Sequence, residues 1–134
     1  ERERPELAAV ALSANAALLT TGASNGAGHG DWAQQFARQV RALGQAGDVL
    51  LALCISGNDA NVLAAVDAAH ERDMTAIVAS GRTGGVLATV LRETDVLMCV
   101  PHDRAARVRE VHALVLNCLC DGVDAQLFGE QETP

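Results

Sequence analysis

The stretch Asp48–Asp59 reads DVLLALCISGND. Asp48–Cys54 is a continuous apolar run of strand length, and Ser56-Gly57-Asn58-Asp59 makes a turn. Working forward, the spacing predicts a helix over Ala60–Arg72, with Val62, Leu63, Val66 and Ala69 on one stripe. Met74–Ala79 (MTAIVA) is the next strand, followed by the Ser80–Gly85 turn (SGRTGG) and a short helix, Val86–Leu91. Asp95–Val100 (DVLMCV) is a further strand, ended by Pro101, and Asp103 or a neighbour caps a long helix from Arg104 to about Leu127. Working backward, Leu7–Ala14 (LAAVALSA) reads as a buried strand, and Asn15–Thr20 as one or two helical turns. Thr21–Gly30 reads as a Gly-rich polar loop. Asp31 reads as the N-cap of a helix to about Leu43, with Phe36, Val40 and Leu43 at i, i+4 and i+7.

Strands that are apolar throughout, alternating with helices, imply a parallel sheet covered on both faces. The expected architecture is therefore a three-layer α/β/α sandwich forming one domain over residues 1–134. In open sheets of this kind ligands bind where the strands' carboxyl ends turn into helices. The loops to inspect are Cys54–Asp59 and Ser80–Gly85. A strand, a Ser-Gly-Asn turn and a helix N-terminus favour an anion through backbone N–H groups and the helix dipole. The same residues also serve as a plain tight turn and N-cap, and the spacing alone does not separate the two uses.

Composition narrows the functional classes. The net charge is −7, and all ten basic residues are Arg. An acidic chain without a basic run is a poor direct nucleic-acid binder, because phosphate contacts need clustered cations. Trp32, Phe36 and Phe128 are the only aromatics, too few for a base-stacking platform. No apolar stretch is expected to reach the ~18 residues of a membrane span, and no signal peptide is read at the start. Cys54, Cys99, Cys118 and Cys120 lie in or beside apolar runs and read as buried thiols of a reduced, cytoplasmic protein.

The run Asp48–Asp59, the following helix and strand, and Ser80-Gly81-Arg82-Thr83-Gly84-Gly85 together resemble the sugar isomerase (SIS) domain family. The resemblance is to the branch holding the phosphoheptose isomerases and the DnaA initiator-associating proteins, and it runs from about Arg4-Pro5 to Gln131. It implies that the family's leading helices, first strand and Gly-Asn-Gly-x-Ser loop are missing from this sequence. It also implies a possible sugar-phosphate ligand, contacted by Ser56, Gly57, Asn58, Asp59 and Ser80, and a homotetramer.

Departures from the family pattern matter as much as the match. The isomerases carry Ser-Thr-Ser-Gly-Asn-Ser where this chain has Cys54-Ile55-Ser56-Gly57-Asn58-Asp59, so Ser56 alone keeps its hydroxyl. The Asp59 carboxylate opposes a phosphate by about 1 kcal/mol at 4 Å in water. It is also expected to cap the helix itself, so weak or absent sugar-phosphate binding is the expectation. In the last helix the family's Gln and His positions hold Arg109 and Asn117. Asn cannot exchange protons near neutral pH, and Arg is no neutral metal donor. No catalytic residue, metal or cofactor is therefore expected among these positions. His112 lies off the helical face of Asn117 and reads as a histidine held by a hydrogen bond. Cys118 and Cys120, at i and i+2, point to different faces and cannot easily chelate one metal.

Val115–Asp121 (VLNCLCD), Arg104-x-x-Arg107-Val108 and Asp124-x-x-Leu127-Phe128 resemble the initiator-associating members more closely. That resemblance implies a non-catalytic adaptor contacting the initiator DnaA through Leu127 and Phe128, with DNA contact left to the partner. A phosphoheptose isomerase, or a sugar-phosphate sensor, is the alternative. Val108, Val111, Val115, Leu119 and Val123 form a broad apolar stripe suited to helix packing between subunits.

Overall fold

The computed structural model describes residues 6–17 and 30–129. The notable loop Thr21–Gly30 lies outside them except for its last residue. Helices α1 (Gly30–Ala33) and α2 (Gln35–Leu43) precede strand β1 (Val49–Leu53). Then come α3 (Ala60–Glu71), β2 (Thr75–Gly81), α4 (Leu87–Val90), β3 (Val96–Val100) and α5 (Ala105–Phe128). The three strands are parallel in the order β1-β2-β3. Val49 stands opposite Thr75, and Ile77 opposite Val96.

The period-2 rule of a strand sorts its side chains between two faces. Leu50, Ala52, Ala76 and Val78 point to one face, where they meet α3 and α4 through Ala65, Val66, Ala68, Ala69 and Leu87. The run of alanines lets α3 lie close between the sheet and α2, which adds Ala37 and Val40. Val66, Val78 and Leu87 are completely buried. Each such side chain contributes about 1.5–3 kcal/mol by leaving water. Arg41 of α2 grips Glu71 of α3 with both ends of its guanidinium, at 2.6 and 3.1 Å.

The second face is covered only towards the carboxyl end of β2. There Val108 of α5 is fully buried against Gly81, and His112 Nε2 lies 3.0 Å from the Ser80 carbonyl oxygen. Helices thus lie on both sides of the parallel sheet. The expectation of strands covered throughout is corrected, however. Val49, Leu51 and Leu53 are all more than 40% exposed, because no element among the described residues covers them.

Several local expectations are also corrected. Leu7–Ala14 is not a strand. It is irregular with a 3-10 turn at Leu12–Ala14, and Leu7 and Val10 are exposed. Its backbone does not pair with the sheet, whose strands among the described residues are β1, β2 and β3. Asp31 is not an N-cap, because α1 already begins at Gly30, and the helical path breaks at Gln34. Cys54 alone is buried, whereas Cys99, Cys118 and Cys120 are exposed. The last two lie on the open side of α5 among the described residues. With 24 residues, and only Asp121 and Asp124 charged across Val111–Phe128, α5 is also long and apolar enough to cross a membrane by length and composition.

At the opposite edge of the sheet, Asp95 ties three elements together. Its carboxylate accepts N–H groups from Ala76 of β2 and Arg92 of the turn before β3, both at 2.8 Å. It also lies 2.7 Å from His70 Nε2 at the end of α3, and both side chains are nearly or fully buried. Burial pushes the Asp95 carboxyl up, but these hydrogen bonds together outweigh it and hold the group below the usual carboxylate range. Asp95→Ala leaves the Ala76 N–H and His70 without their acceptor and is expected to cost about 3–5 kcal/mol in urea denaturation. Because the folded-state value is lowered, that contribution is full above the ordinary value of about 3.9 and is lost as pH falls through the folded value. The stability gap between wild type and Asp95→Ala therefore narrows on acidification below about pH 4.

Candidate functional site

The two loops singled out in the sequence meet at the carboxyl end of β1 and β2. Cys54 N–H continues the ladder to the Ala79 carbonyl at 2.9 Å, after which the chain turns through Ser56–Asp59 into α3. The second loop leaves β2 at Gly81 and reaches α4 through Gly84 and Gly85. Leu87 N–H donates to the Gly57 carbonyl at 3.0 Å, and Val86 N–H donates to Asn58 Oδ1 at 2.9 Å. Gly57 adopts φ +74, a left-handed conformation that side chains resist. A Cβ there would also overlap the Gly84 carbonyl. Glycine is thus required twice over, by conformation and by the approach of the second loop.

Inside the first loop the polar groups are paired with one another. Ser56 Oγ accepts Asn58 N–H at 3.2 Å and donates to Asp59 Oδ2 at 3.3 Å. Asp59 occupies the N-cap position of α3, and its backbone carbonyl accepts Val62 and Leu63 N–H. Its carboxylate makes no cap hydrogen bond, contrary to expectation, because it turns back to the Ser56 hydroxyl. Burial raises the Cys54 thiol, so this position contributes a neutral S–H rather than a thiolate. Ser80 is wholly buried, and its Oγ has no partner among the described residues. It lies 3.8 Å from where a Gly84 Cβ would stand, beneath the second loop.

The last helix places its notable residues apart. His112 is buried and engaged with the Ser80 carbonyl oxygen, as the hydrogen-bonded reading anticipated. Arg109 and Asn117 are exposed. Leu127 and Phe128 lie at the end of α5, 58% and 37% exposed, remote in sequence from the loops. No group of three His, Cys, Asp or Glu side chains among the described residues lies together as a metal cage. Sequence reasoning missed the Val86 N–H, whose usable signal was the Gly84-Gly85 doublet opposite an Asn-bearing turn.

Substitution separates conformation from contact. Gly47 and Gly57 both have positive φ, but a Cβ on Gly47 meets nothing within 4 Å. Gly47→Ala is expected to cost about 1–2 kcal/mol, the conformational term alone. Gly57→Ala is expected to lower the melting temperature by clearly more, because the Gly84 carbonyl must also move.

Comparison with known proteins agrees with this geometry. The SIS domain family model matches residues 1–81. The phosphoheptose isomerase of Methylibium petroleiphilum is 55% identical over 132 residues, covering 98% of this chain and 64% of that protein. That of Azoarcus sp. (strain BH72) is 52% identical over 132 residues, covering 98% and 65%. The structure of phosphoheptose isomerase GmhA from Neisseria gonorrhoeae superposes with a TM-score of 0.83 at 50% identity, over 89% of this chain and 64% of that one. The chain thus spans somewhat under two thirds of the length of these relatives. They are named phosphoheptose isomerases, not initiator-associating proteins, which corrects the closer resemblance drawn from the last helix. The chain belongs to the SIS domain family, alongside the phosphoheptose isomerases.

Proposed function

We propose that the protein binds a phosphorylated sugar at the carboxyl end of its sheet and acts in the manner of a phosphoheptose isomerase, interconverting sedoheptulose 7-phosphate and a heptose 7-phosphate. The observation that carries this reading is the 55% identity over 98% of the chain to a relative of that name. The paired loops support it, since they set the N-terminus of α3 and Ser56 at the edge where such sheets take ligands. Moving a proton between adjacent sugar carbons needs a group that titrates, and Asn117 does not. His112 is buried against the Ser80 carbonyl and is not free to act on a ligand. Neither position in this helix supplies the acid or base.

A second reading is favoured by the bare surface of α5. Leu114, Val123, Leu127 and Phe128 are exposed along it. Packing such a helix against its own copies, as in the homotetramer the resemblance implies, would hide Leu114 and Val123 and leave Leu127 and Phe128 at its end within reach. Several Leu127–Phe128 pairs would then be presented together, and tethered copies raise effective concentration without new contacts. An adaptor of that kind would gather the initiator DnaA while leaving DNA to its partner, in keeping with the −7 charge.

The readings separate experimentally. Full-length protein incubated with sedoheptulose 7-phosphate is expected to convert it, as followed by chromatography of the sugar phosphates. Binding without conversion makes it a sensor, and no binding by calorimetry sinks the sugar-phosphate reading. For the adaptor, Leu127→Ala with Phe128→Ala is expected to weaken capture of DnaA by about 30-fold or more while light scattering shows an unchanged oligomer. Equal capture by this variant and wild type removes that site.

A further inference from the structure

We infer that Asn58 is a positioning residue, fixing the first loop through the Val86 N–H instead of touching a ligand. This rests on the proposed sugar-phosphate site and specifies how that site is held in shape. Two consecutive residues of the first loop hold two consecutive N–H groups of the second: the Gly57 carbonyl takes Leu87, and Asn58 Oδ1 takes Val86. Asn58's own N–H is committed to Ser56 Oγ. The fit around the amide is close, since a Cβ on Gly85 would stand 2.6 Å from Asn58 Oδ1 and 2.5 Å from the Ser56 carbonyl oxygen. The side chain is therefore wedged between the loops, its oxygen satisfying an N–H at the start of α4 that has no intrahelical partner. Remove that oxygen, and the Ser56–Asp59 turn loses one of its two fastenings to the second loop. A displacement on the order of 1 Å is enough to weaken a site that depends on aimed N–H groups.

A double-mutant cycle tests this, with sedoheptulose 7-phosphate as the probe on the full-length protein. Asn58→Ala removes the acceptor. Val86→Pro removes the donor, and its φ of −62 already suits proline, while the side chain is 47% exposed and contributes little packing. The preceding residue is Gly85, which tolerates a following proline better than other residues do. Each single variant is expected to weaken binding about five- to tenfold, and the double variant no more than either single one. Losses that multiply in the double variant mean that Asn58 meets the ligand directly, and overturn the inference. So does an Asn58→Ala variant that binds as wild type does.

Amide hydrogen exchange decides the matter even without a ligand. Asn58→Ala is expected to speed exchange at Val86 and Leu87 at least tenfold, and Asn58→Asp, which keeps an oxygen acceptor, to restore the protection. Unchanged exchange in Asn58→Ala overturns the clamp. The exchange effect in Asn58→Ala, together with wild-type protein that binds no sedoheptulose 7-phosphate, defeats the proposed function while leaving the clamp standing.

Discussion

The closeness of Gly57 to the Gly84 carbonyl is the constraint from which the rest of the site follows. A parallel sheet aligns the carboxyl ends of β1 and β2, so the loops leaving them compete for the same space. Without a Cβ at Gly57 they interlock instead of colliding, and Leu87 N–H reaches the Gly57 carbonyl. That contact fixes where α4 begins and brings Leu87 into the core as a completely buried side chain. It also roofs Ser80, whose hydroxyl is left inside without a partner among the described residues. Fold and site therefore share one joint, and the polar end of the molecule is ordered by the same packing that builds its core.

The apolar residues outside this joint are distributed unevenly. One face of the sheet is closed by α3 and α4, whereas Val49, Leu51 and Leu53 stay exposed on the other. Helix α5 buries Val108 and His112 near its start and leaves most of its remaining length open. Both surfaces carry side chains suited to burial. The chain covers 64% of the Methylibium relative's length.

How much was legible in the sequence follows from range. The apolar run before Ser56 and the stripe after Asp59 involve neighbours only a few residues apart, so β1 and α3 were read within a residue or so of their ends. The same holds for β3 and α5. Leu7–Ala14 has the pattern of a strand, but a strand needs a neighbour to receive its hydrogen bonds, which no local pattern reveals. The cysteines of α5 were misread for the same reason, since burial is a property of what packs against a helix. At the site, both loops could be found from glycine and turn chemistry. The link from Asn58 to Val86 could not, because it joins residues 28 apart. Asp95 was hidden likewise: the residue before a strand looks like ordinary punctuation until β2, the turn and α3 are seen to converge on it.

The two loops illustrate how polar residues can be kept while their roles are exchanged. Ser56 and Asp59 bond to each other, and Asn58 bonds across to Val86, so three candidate ligand residues already have partners within the protein. An incoming phosphate must compete with the Asp59 carboxylate for the Ser56 hydroxyl. It can still draw on backbone N–H groups at the start of α3, because Asp59 has left them uncapped by its side chain. The carboxylate thus weakens the site by its charge and preserves it by its orientation. In the proposed site, affinity would be set by the balance of those two effects, and the proposed clamp at Asn58 would determine whether the N–H groups remain aimed when the carboxylate is displaced.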